Sequence, residues 1–221
     1  MTSGRGRPTE PLEVRRASVL NALFEAVTAL LAGGGTYVDV SVNAMVAEAG
    51  IAKSTFYQYF SGKNDLLRAF VDQVVDTAGD SYDWIAFEGP PSPEAVISAV
   101  RSHVLEFLPY MPLMAAAFEA AYFDPEVRGT VDRLFESLNR GLSDHIRVGQ
   151  EHSVIDPELP PAETAMWLTW MASRGVHRLL PVSDEKQLER LIDGIGRLMW
   201  SALYRPCVGA SADAQGMAVR E

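Results

Sequence analysis

The chain is poor in the residues that most chemistry needs. It has one cysteine, Cys207, so no internal disulfide can form, and a lone thiol near the C-terminus fits neither a redox nor a metal-ligand spacing. Its four histidines, His103, His145, His152 and His177, show no paired metal-ligand spacing. There is no phosphate-cradling glycine loop and no Gly-x-Ser-x-Gly elbow. These absences predict a protein that is not an enzyme and carries neither metal nor cofactor. No apolar run reaches the roughly eighteen residues a spanning helix needs, which predicts no membrane partner. The N-terminus, Met1-Thr-Ser-Gly-Arg-Gly-Arg-Pro8, lacks the apolar centre of a secretory signal, and this predicts a cytoplasmic location. Alternating β-type patterns never last more than a few residues, and there is no internal repeat.

Helical spacing recurs instead, so the fold class expected is all-α, with about nine helices. With 221 residues and 48% apolar side chains the chain can bury a substantial core. The first helix carries the stripe Val14, Ala17, Leu20, Leu23, Phe24, Val27, Leu30 and Leu31, and Gly33-Gly34-Gly35 ends it. Two short helices fill the stretch from Ser41 to Phe60. A fourth runs from about Lys63 to Gly79 with Leu66, Leu67, Phe70, Val71 and Val74 inward, and Glu88-Gly-Pro-Pro-Ser-Pro93 marks a loop. The next helix reaches about Leu108, with a break at Pro109 and Pro112 before a short apolar helix through Phe123. Asp124-Pro125 opens a long helix with the stripe Val127, Val131, Leu134, Leu138, Leu142 and Ile146. Two more follow, from about Pro161 to Leu180 and from Asp184 to Tyr204. The expected organisation is a disordered basic tail over 1–9, a three-helix N-terminal module over 10–62, a larger helical body over 63–205 that shares the fourth helix with the module, and a disordered tail over 206–221.

The net charge of −10 is unevenly spread. Residues 1–68 hold seven basic and six acidic side chains, leaving twelve basic and twenty-three acidic for the rest. A mildly positive end on a negative body would orient the molecule in the field of a polyanion, although simple solubility explains the charge equally well.

The stretch Ser41-Val-Asn-Ala-Met-Val-Ala-Glu, Ala49-Gly50-Ile51, Ala52-Lys-Ser-Thr-Phe-Tyr-Gln-Tyr-Phe60 reads as helix, turn and helix. Ser41 suits an N-cap with Ala44 as third helical residue, and Val42, Met45 and Val46 face inward. Ala47 is small enough for a close crossing of the second helix, and Gly50 suits a left-handed turn. Ile51 and Phe56 would plug the angle between the helices. Lys53, Ser54, Thr55, Tyr57, Gln58 and Tyr59 remain for the outer side, a set able to meet phosphates and base edges.

This segment resembles the TetR family of bacterial one-component repressors, through Ser41, Val46-Ala47, Ala49-Gly50-Ile51, Thr55-Phe56-Tyr57, Tyr59-Phe60, Lys63 and Leu66-Leu67. Two positions depart from the family pattern: Ala52 stands where a capping Ser is common, and Gly62-Lys63-Asn64 replaces Ser-Lys-Glu. The resemblance implies that Lys53 to Tyr59 enter the major groove of an operator, with Ser41 at the edge of the site and Tyr57 and Lys63 on the DNA backbone. Gln58, whose amide can pair with adenine, is the leading base reader. A second reading leaves Gln58 and Tyr59 solvated or bracing the fourth helix. Arg5-Gly6-Arg7-Pro8 resembles the core of an AT-hook, with non-specific phosphate attraction the favoured reading and minor-groove entry the other.

The resemblance also implies a homodimer through the last two helices, where Ala165, Leu168, Ala172, Gly175 and Val176 on one and Leu191, Ile195, Leu198, Ala202 and Leu203 on the other provide small and apolar surfaces, with closure of the monomer as the alternative use of these stripes. It further implies a pocket for a small lipophilic or aromatic effector, with Phe107, Tyr110, Met114, Phe118, Trp167, Trp170, Met171 and Met199 as candidates and plain core packing as the alternative for each. Within the family the chain looks nearest to the ethionamide-repressor-like subgroup, in which Phe107 falls on a pocket aromatic while Thr169 and Ala172 replace polar residues. The function implied is a ligand-responsive transcriptional regulator, a repressor released from a palindromic double-stranded operator by its effector. The rival is a module of the same fold that binds ligands or partners without specific DNA binding.

Overall fold

The computed structural model describes residues 12–32, 36–78, 91–179 and 184–204. Arg5 to Pro8, Gly33 to Gly35, Trp84, Phe87, Cys207 and the tail after Pro206 lie outside the described residues. Among the described residues the secondary structure is helical: α1 (Leu12–Ala32), α2 (Val42–Glu48), α3 (Lys53–Tyr59), α4 (Lys63–Ala78), α5 (Pro93–Phe107), a 3-10 turn (Leu108–Tyr110), α6 (Met111–Ala120), α7 (Pro125–Glu151), α8 (Pro161–Leu179) and α9 (Glu185–Leu203). No helix among them is long and apolar enough to cross a membrane.

The helix starts follow from local chemistry. Ser92 accepts the Ala95 N–H at 3.2 Å, and Pro93 occupies the first turn of α5, where a missing N–H costs nothing. Asp184 accepts the Gln187 N–H at 2.7 Å and opens α9. Asp124 accepts the N–H groups of Glu126 and Val127 at 2.9 and 3.2 Å and starts α7. Asn64 donates to the same carboxylate. That bond and the two backbone N–H groups, with the Arg68 guanidinium nearby, hold the Asp124 carboxyl below its ordinary range. The break expected at Pro109 and Pro112 falls between α5 and α6. Pro109 sits in the 3-10 turn that leads directly into α6, and Pro112 lies in the first turn of α6, where its ring is tolerated.

Among the described residues, those within Met1–Val74 and Pro109–Arg133 form one compact unit, and those within Val75–Leu108 and Leu134–Glu221 form a second. The core of the first joins Leu23 and Val27 of α1, Met45 of α2, Phe56 of α3, Leu66, Leu67 and Phe70 of α4, and Leu113 of α6. Phe24 adds edge contact with Phe70 at 5.7 Å and a tilted contact with Tyr110 at 4.7 Å. The predicted stripe of α1 holds from Leu20 onward, but Val14 is 47% exposed and Ala17 is also exposed. Ala47 is exposed too. In this part of the chain the small residues packed against the core are instead Ala44 and Ala49, one turn before the predicted crossing point and just after it.

The second unit centres on α5 and α9. A Cβ at Gly196 would lie 2.9 Å from the Ile97 Cα, so the two backbones approach closely and glycine is required by space. Val96, Val100 and Val104 of α5, Leu142 and Ile146 of α7, Ala165 and Leu168 of α8, and Ile192, Met199 and Leu203 of α9 complete its core. Ala165, Leu168 and Leu203, expected on a dimer surface, are therefore buried within the chain. His145 and the Tyr204 hydroxyl form a buried hydrogen bond, and burial pushes the Tyr204 phenol well above its ordinary value.

Candidate nucleic-acid interface

The segment expected to read DNA is built on buried anchors. Ser41 has extended backbone angles and its hydroxyl accepts the Ala44 N–H at 3.1 Å, so α2 has the cap its sequence calls for. Gly50 follows α2 with φ of +65°, the left-handed conformation that penalises any side chain. The chain then closes back through Ile51 N–H to the Val46 carbonyl at 3.0 Å. Ile51 packs against the first core, while Phe56 is fully buried and Phe60 nearly so. Burying a side chain of this size contributes about 2 to 3 kcal/mol, which fixes α3 in spite of its shortness. Ala52 stands at the N-cap of α3 without a side-chain bond, as its chemistry requires.

On this support Lys53, Ser54, Tyr57 and Gln58 are exposed, and their spacing puts them on one face. Thr55 and Tyr59 are half-buried on its flank, with Tyr59 against the core. The Lys53 ammonium lies 6.0 Å from the centre of the Tyr57 ring, close enough for the ring to steady the charge. An α-helix with its side chains is about 10 to 12 Å across, which a major groove about 12 Å wide admits.

Lys63, expected on the DNA backbone, already has work inside the protein. Its ammonium donates to the carbonyls of Tyr37 and Val38 at 2.6 and 2.8 Å, and the Tyr37 hydroxyl donates back to the Lys63 carbonyl at 2.8 Å. The ammonium also lies 4.9 Å from the Tyr37 ring centre. Burial lowers the Lys63 pKa from the usual lysine value, with the Asp39 carboxylate opposing that shift. Burial likewise pushes the Tyr37 phenol far up. This pair ties the turn before α2 to the start of α4 and uses two of the three donors Lys63 carries.

Two contributions escaped the sequence. Arg16 of α1 places its guanidinium 5.9 Å from the Phe60 ring centre, adding a cation beside the end of α3. Asp65 accepts both the backbone N–H and the hydroxyl of Ser61 at 2.8 and 3.1 Å, closing the step from α3 into α4. Desolvation pushes the Asp65 carboxyl up, but the Ser61 bonds and the Arg68 guanidinium outweigh it and hold the group below its ordinary value. The four-residue spacing from Ser61 to Asp65 was a readable signal. Arg16 offered none.

Of the candidate effector residues, Tyr110, Met114 and Phe118 belong to the first unit and Phe107, Trp167, Trp170, Met171 and Met199 to the second. Met114 and Met199 are buried; Trp167, Trp170 and Met171 are exposed on α8, with Trp167 79% exposed. Trp170 stacks on Phe135 at 4.7 Å with planes 10° apart. A largely apolar groove of about 270 Å³ lies between α8 and α9, lined by Met171, Ala172, Gly175, Val176, Leu191, Ile195 and Leu198 among others.

Residues 23–70, from within α1 through the first half of α4, match the family described as bacterial regulatory proteins, tetR family. An uncharacterized HTH-type transcriptional regulator of Mycobacterium tuberculosis is 29% identical over 125 residues; the match covers 54% of this chain and spans 56% of the length of that relative. The HTH-type transcriptional regulator EthR of Mycolicibacterium smegmatis is 23% identical over 151 residues, covering 68% of this chain and 69% of that protein. Among solved structures, a complex of SmeT with triclosan shares the fold, with a TM-score of 0.65, 15% identity and coverage of 86% of this chain and 93% of that one.

Proposed function

We propose that this chain, whose residues 23–70 match the tetR family of bacterial regulatory proteins, is a dimeric, ligand-responsive repressor that grips a palindromic operator through α3 and releases it when a small lipophilic effector binds. The observation that carries this reading is the exposed face of Lys53, Ser54, Tyr57 and Gln58 mounted on the buried ring of Phe56. Lys53 supplies charge for phosphate, Tyr57 and Ser54 supply hydroxyls for positioning, and Gln58 supplies an amide that matches adenine. Thr55 and Tyr59 flank that face, and Ser41 caps α2 at its edge. Lys63 keeps one donor for a phosphate while it holds the turn before α2.

One short helix reads few base pairs, so two copies are needed for specificity. The apolar groove between α8 and α9, with Leu198 55% exposed beside it, supports pairing of these helices with those of a second copy. A lipophilic or aromatic effector is favoured by the large apolar side chains of the body, Phe107, Trp167, Trp170, Met171 and Met199 in one unit and Tyr110, Met114 and Phe118 in the other. Triclosan, a compound of that character, is bound by SmeT.

Selection of bound sites from random double-stranded DNA, followed by a salt series on the winning sequence, tests the proposal. A two-fold-related consensus with strongly salt-dependent affinity is expected. Saturable ligand binding with no sequence-specific DNA binding at any salt concentration would favour instead a module that has lost its operator, a reading to which the uncapped Ala52 lends support.

A further inference from the structure

One face of α4 is linked by polar bonds to the start of α7. Asn64, Arg68 and Asp72, four residues apart, each have a partner there. Asn64 donates to Asp124 at 2.7 Å, Arg68 pairs with Glu126, and Arg133 donates to Asp72 at 2.8 Å. Beside Arg68 and Asp72 this row opens into a cleft of about 400 Å³, all of it within the first unit, and Arg16 of α1 joins its lining. Its other walls include Gly129, above which no atom would meet an added Cβ, and Thr130. The Thr130 hydroxyl donates to the Glu126 carbonyl at 3.2 Å and accepts from Arg133 at 3.1 Å, which orients that guanidinium.

The lining holds three guanidinium groups, from Arg16, Arg68 and Arg133, and three carboxylates, from Asp65, Asp72 and Glu126. A ligand of one charge sign would have to break ion pairs without replacing them, whereas a ligand carrying both signs exchanges like for like. Arg16 pairs with no carboxylate among the described residues, so the cleft has one guanidinium still open to an anionic group. Asp72 and Glu126 each pair with one arginine and keep 51% and 70% of their side-chain surface exposed, so both can take a second cation. The volume lies in the range of small-molecule sites.

We propose that this cleft binds a small zwitterion of amino-acid size, its carboxylate on Arg16 and its ammonium or guanidinium group between Asp72 and Glu126. The site differs in chemistry from the lipophilic effector proposed above and does not depend on that reading. Its occupant touches α4 two turns after α3 ends, so it bears on the helix that follows the DNA-reading element.

The full chain, titrated by calorimetry and followed by thermal melting, tests this at constant ionic strength with glutamate, arginine and γ-aminobutyrate as zwitterions, succinate as an anion and putrescine as a cation. Saturable binding of at least one zwitterion is expected, with affinity falling about tenfold or more in Arg16→Ala and in Asp72→Asn. Arg16 is exposed, so its variant folds and decides the matter even if the Asp72 variant does not. Failure of every zwitterion to saturate at millimolar concentration, equal binding of succinate or putrescine, or unchanged affinity in Arg16→Ala would each overturn the proposal. None of these readouts involves DNA or a lipophilic ligand, so failure here leaves the repressor reading intact.

Discussion

Tyr37 and Lys63 bond to each other in both directions: the phenol donates to the Lys63 carbonyl at 2.8 Å and the ammonium to the Tyr37 carbonyl at 2.6 Å. Each residue satisfies a backbone acceptor of the other, across twenty-six positions of chain. Tyr37→Phe leaves the Lys63 carbonyl without its donor, and a loss of about 1 to 3 kcal/mol in urea unfolding is expected. Lys63→Met removes the donor to two carbonyls and should cost at least as much. If Lys63→Met leaves stability unchanged and lowers only DNA affinity, the ammonium serves phosphate and not the turn.

Replacements on the α3 face should separate positioning from reading. Lys53→Ala is expected to weaken binding about equally on all DNA sequences and to reduce the slope of log affinity against log salt by about one. Gln58→Ala should cost about 1 to 3 kcal/mol at one base pair and relax the preference there. Both side chains are exposed, so melting temperatures should not move. A uniform loss from Gln58→Ala would remove it from base reading.

Gly196→Ala forces a methyl group to 2.9 Å from the Ile97 Cα, and a helix backbone cannot swing aside as a side-chain tip can. A destabilisation of about 1 to 3 kcal/mol is expected after the gain in helix propensity is set against it. Gly129→Ala, with nothing within 4 Å of the new carbon, should instead stabilise by up to about 1 kcal/mol. Opposite signs in paired thermal melts are the outcome to look for.

Asp65 gives a pH dependence of defined sign. Its carboxyl is held below its unfolded value, so its contribution is complete above the ordinary carboxylate range and disappears as pH falls through the depressed folded value. Asp65→Asn should therefore be less stable than the parent at neutral pH, and the gap should close at strongly acid pH. A gap that is the same at both extremes would assign the effect to packing instead of charge.

Leu198→Glu puts a charge beside the groove between α8 and α9. Sedimentation should show a shift from dimer to monomer at micromolar concentration, with operator affinity falling in parallel. An unchanged dimer would exclude this surface as the interface.

Much of the fold could be read from sequence because its signals are local. Ser41, Ser92 and Asp184 cap helices within three residues of themselves, Pro93 and Pro125 fit only at helix starts, and the turn at Gly50 needs its glycine. The stripes of α4 and α7 follow helical period and are buried almost throughout. What stayed hidden depends on distant chain segments meeting. No spacing rule places Lys63 against the carbonyls of Tyr37 and Val38, Arg16 over Phe60, or Asn64 against Asp124. Nor can hydrophobicity tell Leu168, buried in its own core, from Trp167 beside it, which faces outward; both are apolar, and only the direction of the side chain separates core from surface.

Of the seven residues in α3, Phe56 alone is fully buried, while Lys53, Ser54, Tyr57 and Gln58 face solvent. The residue that seats the helix and the residues that could discriminate between partners are therefore different ones. Substitutions on the outward face leave core volume untouched, so a duplicated gene could drift to a new target while its product keeps folding. For the same reason, transplanting those four side chains onto a relative with an equivalent anchoring phenylalanine is a practical route to redirecting it.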